Sequence, residues 1–297
     1  TPAKFPDFVK MVSPKMLCKI LSIFCISFSK KDILGIAKTG SGKTASYVLP
    51  IVSNLMGKEL AKNRHVKVLV LVPTRELAIQ VEGVFKDFVR DISDKLKVLA
   101  VFGGVSINPQ MIGLQNVQIL IATPGRLIDL VESKAVHLSE LETLVLDEAD
   151  KMLNLGFREE MNKILGWLPK KRQNLLFSAT LNKEVELVHQ LILNSSVVIQ
   201  IASEENEIAL IHQMAYAVSD ERKGPLLRFL IKSQEMKQVL VFASSVYKAD
   251  TIADKLRKNG IEASAIHSKK SQTARNEALR KFKEGQLRVL VATDLLS

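Results

Sequence analysis

Leu144-Val145-Leu146-Asp147-Glu148-Ala149-Asp150 decides the fold. Three apolar residues in a row, without polar alternation, read as a strand covered on both faces, which is the signature of a parallel sheet. In open parallel α/β sheets, ligands collect at the carboxyl ends of the strands. Here that end carries Asp147, Glu148 and Asp150. An exposed acidic turn is the alternative reading, and the hydrophobic strand leading into it argues against one.

Upstream, residues 37–44 read Ala37-Lys38-Thr39-Gly40-Ser41-Gly42-Lys43-Thr44. The stretch follows an apolar run and precedes a helical pattern, so strand, glycine loop and helix occur in order. Glycines let backbone N–H groups close around phosphate oxygens, and the helix N-terminus adds its positive dipole. Thr39, Gly40, Ser41, Gly42, Lys43 and Thr44 are therefore the expected nucleotide cradle. Lys43 would reach the β- and γ-phosphates, and the Thr44 hydroxyl would ligate Mg²⁺. A strict phosphate loop begins with glycine, whereas this one begins with Ala37. The acidic turn supplies the other half of a magnesium-nucleotide site. Asp147 would hold Mg²⁺ through water, and Glu148 would act as general base toward an attacking water. Lys43, Asp147 and Glu148 form the candidate catalytic set, and ATP with Mg²⁺ the candidate cofactor.

Around these two motifs the chain repeats one pattern: a short β-rich apolar run, a turn or polar motif, then a helical stretch. Strands are expected at 32–37, 66–72, 98–102, 117–122, 141–146, 174–177 and 197–201. A second set is expected at 238–243, 263–266 and 287–292. Amphipathic helices are expected between them, for instance at 74–91 and 245–259. This alternation predicts an α/β fold of doubly wound parallel sheets. An acidic polar break at 202–210 separates the two strand sets. It predicts one domain over 1–204 and a second, partial one over 205–297.

The 297-residue chain is long enough for two cores. Its net charge of +11 points to a polyanionic partner, nucleic acid first, with a merely basic surface as the alternative. Two cysteines, Cys18 and Cys25, form neither a disulfide framework nor a zinc-ligand spacing. They fit a reducing, intracellular compartment. Residues 16–28 are mostly apolar, but the run is too short to span a bilayer and Lys19 interrupts it. A buried helix or strand is expected there, and no membrane partner.

Four further signatures also follow expected strands: Pro73-Thr74-Arg75-Glu76-Leu77-Ala78, Gly103-Gly104, Thr123-Pro124-Gly125-Arg126 and Ser178-Ala179-Thr180. Singly, each reads as a turn or a helix cap. On one sheet edge, the first three offer the amides, hydroxyls and arginines that hold a sugar-phosphate backbone without reading bases.

In this order and spacing, A-K-T-G-S-G-K-T, P-T-R-E-L-A, G-G, T-P-G-R, D-E-A-D and S-A-T closely resemble the DEAD-box ATP-dependent RNA helicases. The resemblance covers about residues 32–297, and Ala37 matches that family's form of the phosphate loop. It implies two RecA-like domains that close over ATP and single-stranded RNA. It further implies that Thr74, Arg75, Gly104, Thr123, Gly125 and Arg126 contact the RNA backbone. Asp150, Ser178 and Thr180 would couple nucleotide state to RNA binding and strand separation. In the second half, Val239 to Ser245 resembles the fourth motif, Gln272 and Arg275 the Q-x-x-R element, and Val291-Ala292-Thr293-Asp294 the start of the fifth motif. There Gln272, Arg275 and Thr293 would touch RNA. The substrate implied is single-stranded RNA or a short duplex, bound without sequence specificity by a monomer.

The chain departs from the family pattern in three places. Its first glutamine is Gln80, so the upstream glutamine motif that recognises adenine is not in its usual place; Phe5 would be the upstream aromatic that packs on the base. Ser268 follows His267 where the family commonly has glycine. The chain also stops at Leu295-Leu296-Ser297, before the segments that carry the family's arginine fingers, and is read as a fragment or incomplete gene product. Two functions therefore compete: an RNA-stimulated ATPase that separates short duplexes, and a nucleotide- and RNA-binding clamp with little catalysis. A P-loop enzyme acting on a small molecule is a third, for which the backbone-binding signatures leave little room.

Overall fold

A computed structural model describes residues 30–37, 42–90, 96–181, 185–186, 188, 196–200 and 212–293. The expectations for 16–28, Phe5, 202–210 and Asp294 fall outside the described residues. The chain divides into two compact units between residues 210 and 211.

The first unit is built on seven parallel strands: β1 (Ile33–Ile36), β2 (Val68–Leu71), β3 (Lys97–Val101), β4 (Val117–Ala122), β5 (Thr143–Leu146), β6 (Gln173–Ser178) and β7 (Val197–Gln200). Their order across the sheet is β3-β4-β2-β5-β6-β1-β7. The helices between them are α1 (Lys43–Leu55), α2 (Arg75–Arg90), α3 (Ile107–Gly113), α4 (Pro124–Glu132), α5 (Ala149–Asn154) and α6 (Arg158–Trp167).

Side chains alternate across a strand, and here both faces are covered. In β2, Val68 and Val70 pack with α1 and α2 through Val48, Ile51, Val81 and Phe85. Leu69 and Leu71 pack on the other face with Leu127 and Leu130 of α4, Met152 of α5 and Ile164 of α6. That double burial is why the strands read as unbroken apolar runs. The expected strands 66–72 and 141–146 are shorter than read, because their first residues bond outside the regular ladder: Lys67 N–H donates to Gln118 O, and Glu142 N–H to Lys67 O. Asp32 ties the start of β1 to β6, accepting from the Asn174 backbone N–H at 2.7 Å and its side-chain amide at 3.1 Å.

The second unit holds a three-stranded parallel sheet in the order β8-β10-β9. Its strands are β8 (Val239–Ala243), β9 (Ala263–Ile266) and β10 (Val289–Thr293). Its helices are α7 (Asp220–Ser233), α8 (Val246–Lys258) and α9 (Gln272–Lys283). One face packs on α8 through Ala249, Ala253 and Leu256; on the other, Leu290 and Ala292 meet Ala278 of α9. Strand β8 lies at one edge, with Leu240 and Phe242 half-exposed.

Gly35 in β1 faces Phe177 in β6. A Cβ at position 35 would lie 2.6 Å from the Phe177 ring, which is fully buried against Tyr47 with ring centroids 5.2 Å apart. Nothing flexible can yield there. Gly35→Ala should therefore cost about 1–3 kcal/mol, read as a lowered midpoint in urea denaturation; an unchanged midpoint would show that the ring can move aside.

Candidate functional site

Strand β6 lies between β1 and β5. The glycine loop, the Ser178-Ala179-Thr180 turn and the acidic turn thus leave three neighbouring strand ends on one edge. Thr39, Gly40 and Ser41 lie outside the described residues. Gly42 caps α1 in the left-handed region, φ 78° and ψ 13°, where a Cβ would be strained. The first amides of α1 have no acceptor within the helix, which leaves a donor-rich end. Lys43 is buried, and its Nζ has no hydrogen-bond partner among the described residues.

Asp147 is 3% exposed and accepts a 2.9 Å hydrogen bond at Oδ2 from the Tyr47 hydroxyl. Burial pushes its carboxyl above the usual range, against the opposing pull of the Lys43 charge and the Tyr47 bond. Glu148 sits at φ 54° and ψ 50°, a left-handed conformation that a glutamate adopts only under constraint. The twist turns the chain from β5 into α5 with only Asp147 and Glu148 between them. Glu148 Oε2 lies 3.3 Å from Lys151 Nζ.

A buried ammonium with no hydrogen-bond partner among the described residues, beside a buried acid that desolvation holds above its usual range, is an incomplete electrostatic set. Phosphate oxygens would satisfy Lys43, and a divalent cation would favour the ionised form of Asp147. The residues present fit a magnesium-nucleotide pair.

Asp150 reaches across to the end of β6. Its Oδ2 accepts from the Thr180 N–H at 3.1 Å and from the Thr180 hydroxyl at 3.0 Å. Ser178, fully buried, donates from Oγ to Thr180 O at 2.7 Å. The acidic turn and the Ser-Ala-Thr turn are thus one hydrogen-bonded unit.

The other signatures occupy the ends of β2, β3 and β4. The Thr74 hydroxyl oxygen accepts from the Leu77 N–H at 3.2 Å and caps α2. Gly104 has φ +75°, and a Cβ there would lie 2.1 Å from the Arg75 guanidinium, which packs flat on the glycine. Thr123 precedes the first turn of α4, and a Cβ on Gly125 would meet nothing. Arg126 is buried and donates from Nη2 to Val105 O at 2.8 Å, bracing the Gly103-Gly104 loop; its Nη1 has no hydrogen-bond partner among the described residues.

A family model for DEAD/DEAH box helicases matches residues 19–188, and one for the helicase conserved C-terminal domain matches residues 222–297. The chain belongs to the DEAD/DEAH box helicase family. It is 38% identical to the DEAD-box ATP-dependent RNA helicase CshA of Geobacillus kaustophilus, over 91% of this chain and 57% of that protein. It is 39% identical to the ATP-dependent RNA helicase DBP2 of Vanderwaltozyma polyspora, over 99% of this chain and 68% of that protein. Among solved structures, it resembles a DEAD box protein of the hyperthermophile Methanococcus jannaschii, with a TM-score of 0.55 and 32% identity, covering 95% of this chain and 78% of that one. The chain spans little more than half the length of the Geobacillus relative.

In the second unit of this DEAD-box chain, Gln272 opens α9 and Arg275 lies one turn on. Arg275 is buried and hydrogen-bonds to Gln272 Oε1. The loop before them turns at His267, where the Lys270 N–H donates to His267 O at 3.1 Å. Ser268 is not among the residues with positive φ, so the turn forms without glycine. Thr293 ends β10, buried, with its hydroxyl unpaired among the described residues.

Two residues at the site escaped the sequence reading. Gln110 of α3 pairs with both backbone groups of Phe102, accepting its N–H at 3.0 Å and donating to its carbonyl at 3.1 Å, which closes the loop of the double glycine. Nothing local marks a glutamine inside a short helix for that role. Tyr47 carried a weak signal: it lies three residues after Thr44, and positions so spaced share a helix face.

Gly104→Ala should displace the Arg75 guanidinium and strain the backbone, at a cost of about 1–2 kcal/mol. The cost should appear as a lowered midpoint in urea denaturation. An unchanged midpoint would show that the Arg75 guanidinium can move aside.

Proposed function

We propose that this chain is an ATP-dependent RNA helicase of the DEAD-box type, which couples ATP binding and hydrolysis to RNA binding and local duplex unwinding. The observation that carries the reading is the buried Lys43 ammonium, without a hydrogen-bond partner among the described residues, beside Asp147 and Glu148 and one strand away from the Asp150–Thr180 bond. Lys43 neutralises phosphate charge, and the cradle of Thr39, Gly40, Ser41, Gly42 and Thr44 orients the phosphates. Thr44 and Asp147 would hold Mg²⁺, which would supply further charge neutralisation on the transferred phosphoryl group. Glu148 accepts the proton of the attacking water at its carboxylate, and its constrained backbone sets the direction from which it does so.

Thr74, Arg75, Gly104, Thr123, Gly125 and Arg126 hold the RNA backbone. The support is their common sheet edge, together with the Arg126 Nη1, which has no hydrogen-bond partner among the described residues, and the open space at Gly125. Gln272, Arg275 and Thr293 add contacts from the second unit. Backbone contacts of this kind carry no sequence information. Asp150, Ser178 and Thr180 relay nucleotide state, because Asp150 is anchored to the acidic turn and Thr180 to the end of β6. Residues 1–204 form the ATP-binding domain and 205–297 belong to a second RecA-like domain. The chain acts as a monomer in the reducing, intracellular compartment that its cysteine usage suggests. Among the described residues no helix is long and apolar enough to cross a membrane.

ATP hydrolysis by the full chain, with and without single-stranded RNA, tests the reading. RNA should stimulate turnover, and Glu148→Gln should lower it by about 10²–10⁴-fold while sparing nucleotide binding. Turnover unaffected by Glu148→Gln would refute the assigned base. RNA binding retained with no turnover in the unaltered chain would favour a clamp.

Arg126→Ala should weaken RNA binding by a similar factor on every sequence and reduce the slope of log affinity against log salt by about one. A loss confined to particular sequences would instead mean base readout.

A further inference from the structure

Tyr47 is fully buried on the site face of α1, and no role assigned so far requires its hydroxyl. Its ring is wedged between Phe177 of β6, with centroids 5.2 Å apart, and Phe85 of α2, with centroids 6.2 Å apart. A phenylalanine would fill the same volume. A buried phenol must instead be matched by a partner, or it costs about 1–3 kcal/mol. The partner is Asp147 Oδ2 at 2.9 Å, from a residue a hundred positions away in the chain. Tyr47, on α1, therefore holds the carboxylate beyond β5 that the preceding reading gives to the metal.

We propose that Tyr47 is a positioning residue for the divalent cation of the nucleotide site, its hydroxyl holding the Asp147 carboxylate in a single orientation between the phosphate-loop helix and the acidic turn. This rests on the magnesium-nucleotide reading of the site and deepens it. Three observations support it. The ring is locked by two aromatic neighbours, so the hydroxyl has a fixed place from which to donate. The acceptor is almost wholly shielded from water, so no solvent molecule substitutes readily for the lost donor. The bond also crosses from one half of the site to the other, which a purely local packing role would not need. Hydrogen-bond partners of metal ligands typically govern metal affinity by about 10–100-fold.

The test is the Mg²⁺ dependence of nucleotide binding by the full chain, followed with a fluorescent ADP at rising Mg²⁺ and again in EDTA. Tyr47→Phe should raise the Mg²⁺ concentration needed for half-maximal tightening by about 5- to 20-fold and leave binding in EDTA unchanged. In an Asp147→Asn background, the same Tyr47→Phe change should have no further effect on the Mg²⁺ curve. A tyrosine-selective ¹³Cζ label in the unaltered chain gives a readout that needs no variant. With three tyrosines in the sequence, the Tyr47 signal should shift on adding Mg²⁺ with ADP and not with ADP in EDTA. An unchanged Mg²⁺ curve in Tyr47→Phe, or a ¹³C signal indifferent to Mg²⁺, overturns the positioning role while the site stands. Nucleotide binding by the unaltered chain that ignores Mg²⁺ altogether overturns the magnesium-nucleotide reading, and this inference with it.

Discussion

The hydrogen-bonded ladder β5–β6–β1 is the constraint on which the first unit depends. Neighbouring strands lie about 4.8 Å apart, so β1 and β5 end roughly 10 Å from one another. That distance lets one helix, α1, carry Lys43 and Tyr47 to the acidic turn while its own N-terminus follows the glycine loop. It also puts Ser178 and Thr180 between the two halves of the site, where Asp150 bonds to them directly. Parallel pairing makes this possible: every strand in the ladder points the same way, so every strand exit falls on the same edge.

The same edge concentrates the unfavourable terms of the structure. Glu148 is held in a left-handed conformation, Asp147 is buried with its carboxyl raised by desolvation, and Lys43 lies under the surface with no hydrogen-bond partner among the described residues. Each costs stability in isolation. They persist because the sheet beneath is covered on both faces by leucine, valine and isoleucine, which over-determine the backbone at the strand ends. Strain and unpaired charge at a strand exit are what a site for a charged ligand is expected to contain before the ligand arrives.

The loops proposed to hold RNA show a second principle. Their residues spend much of their bonding capacity on one another. Arg126 holds Val105, Gln110 holds Phe102, Arg75 lies on Gly104, and Thr74 caps its own helix. Preorganised loops lose less entropy on binding, and a surface that recognises a repeating backbone needs geometry more than chemical variety.

Much of this was legible along the chain. Strand 117–122 and strand 263–266 were placed to the residue, and the helices at 74–91 and 245–259 nearly so, because those strands are largely apolar and buried and the helices carry an amphipathic period. The glycine loop and the acidic cluster were legible because phosphate binding demands particular residue types at adjacent positions. What the chain could not announce is the strand order. Nothing local says that β6 inserts between β1 and β5, since pairing in a parallel sheet depends on crossovers packed far from the strands they join. Tyr47 and Gln110 stayed hidden for the same reason. Each is an ordinary helix residue by its neighbours in sequence, and each acquires its role only when folding brings a distant carboxylate or backbone amide within hydrogen-bonding distance.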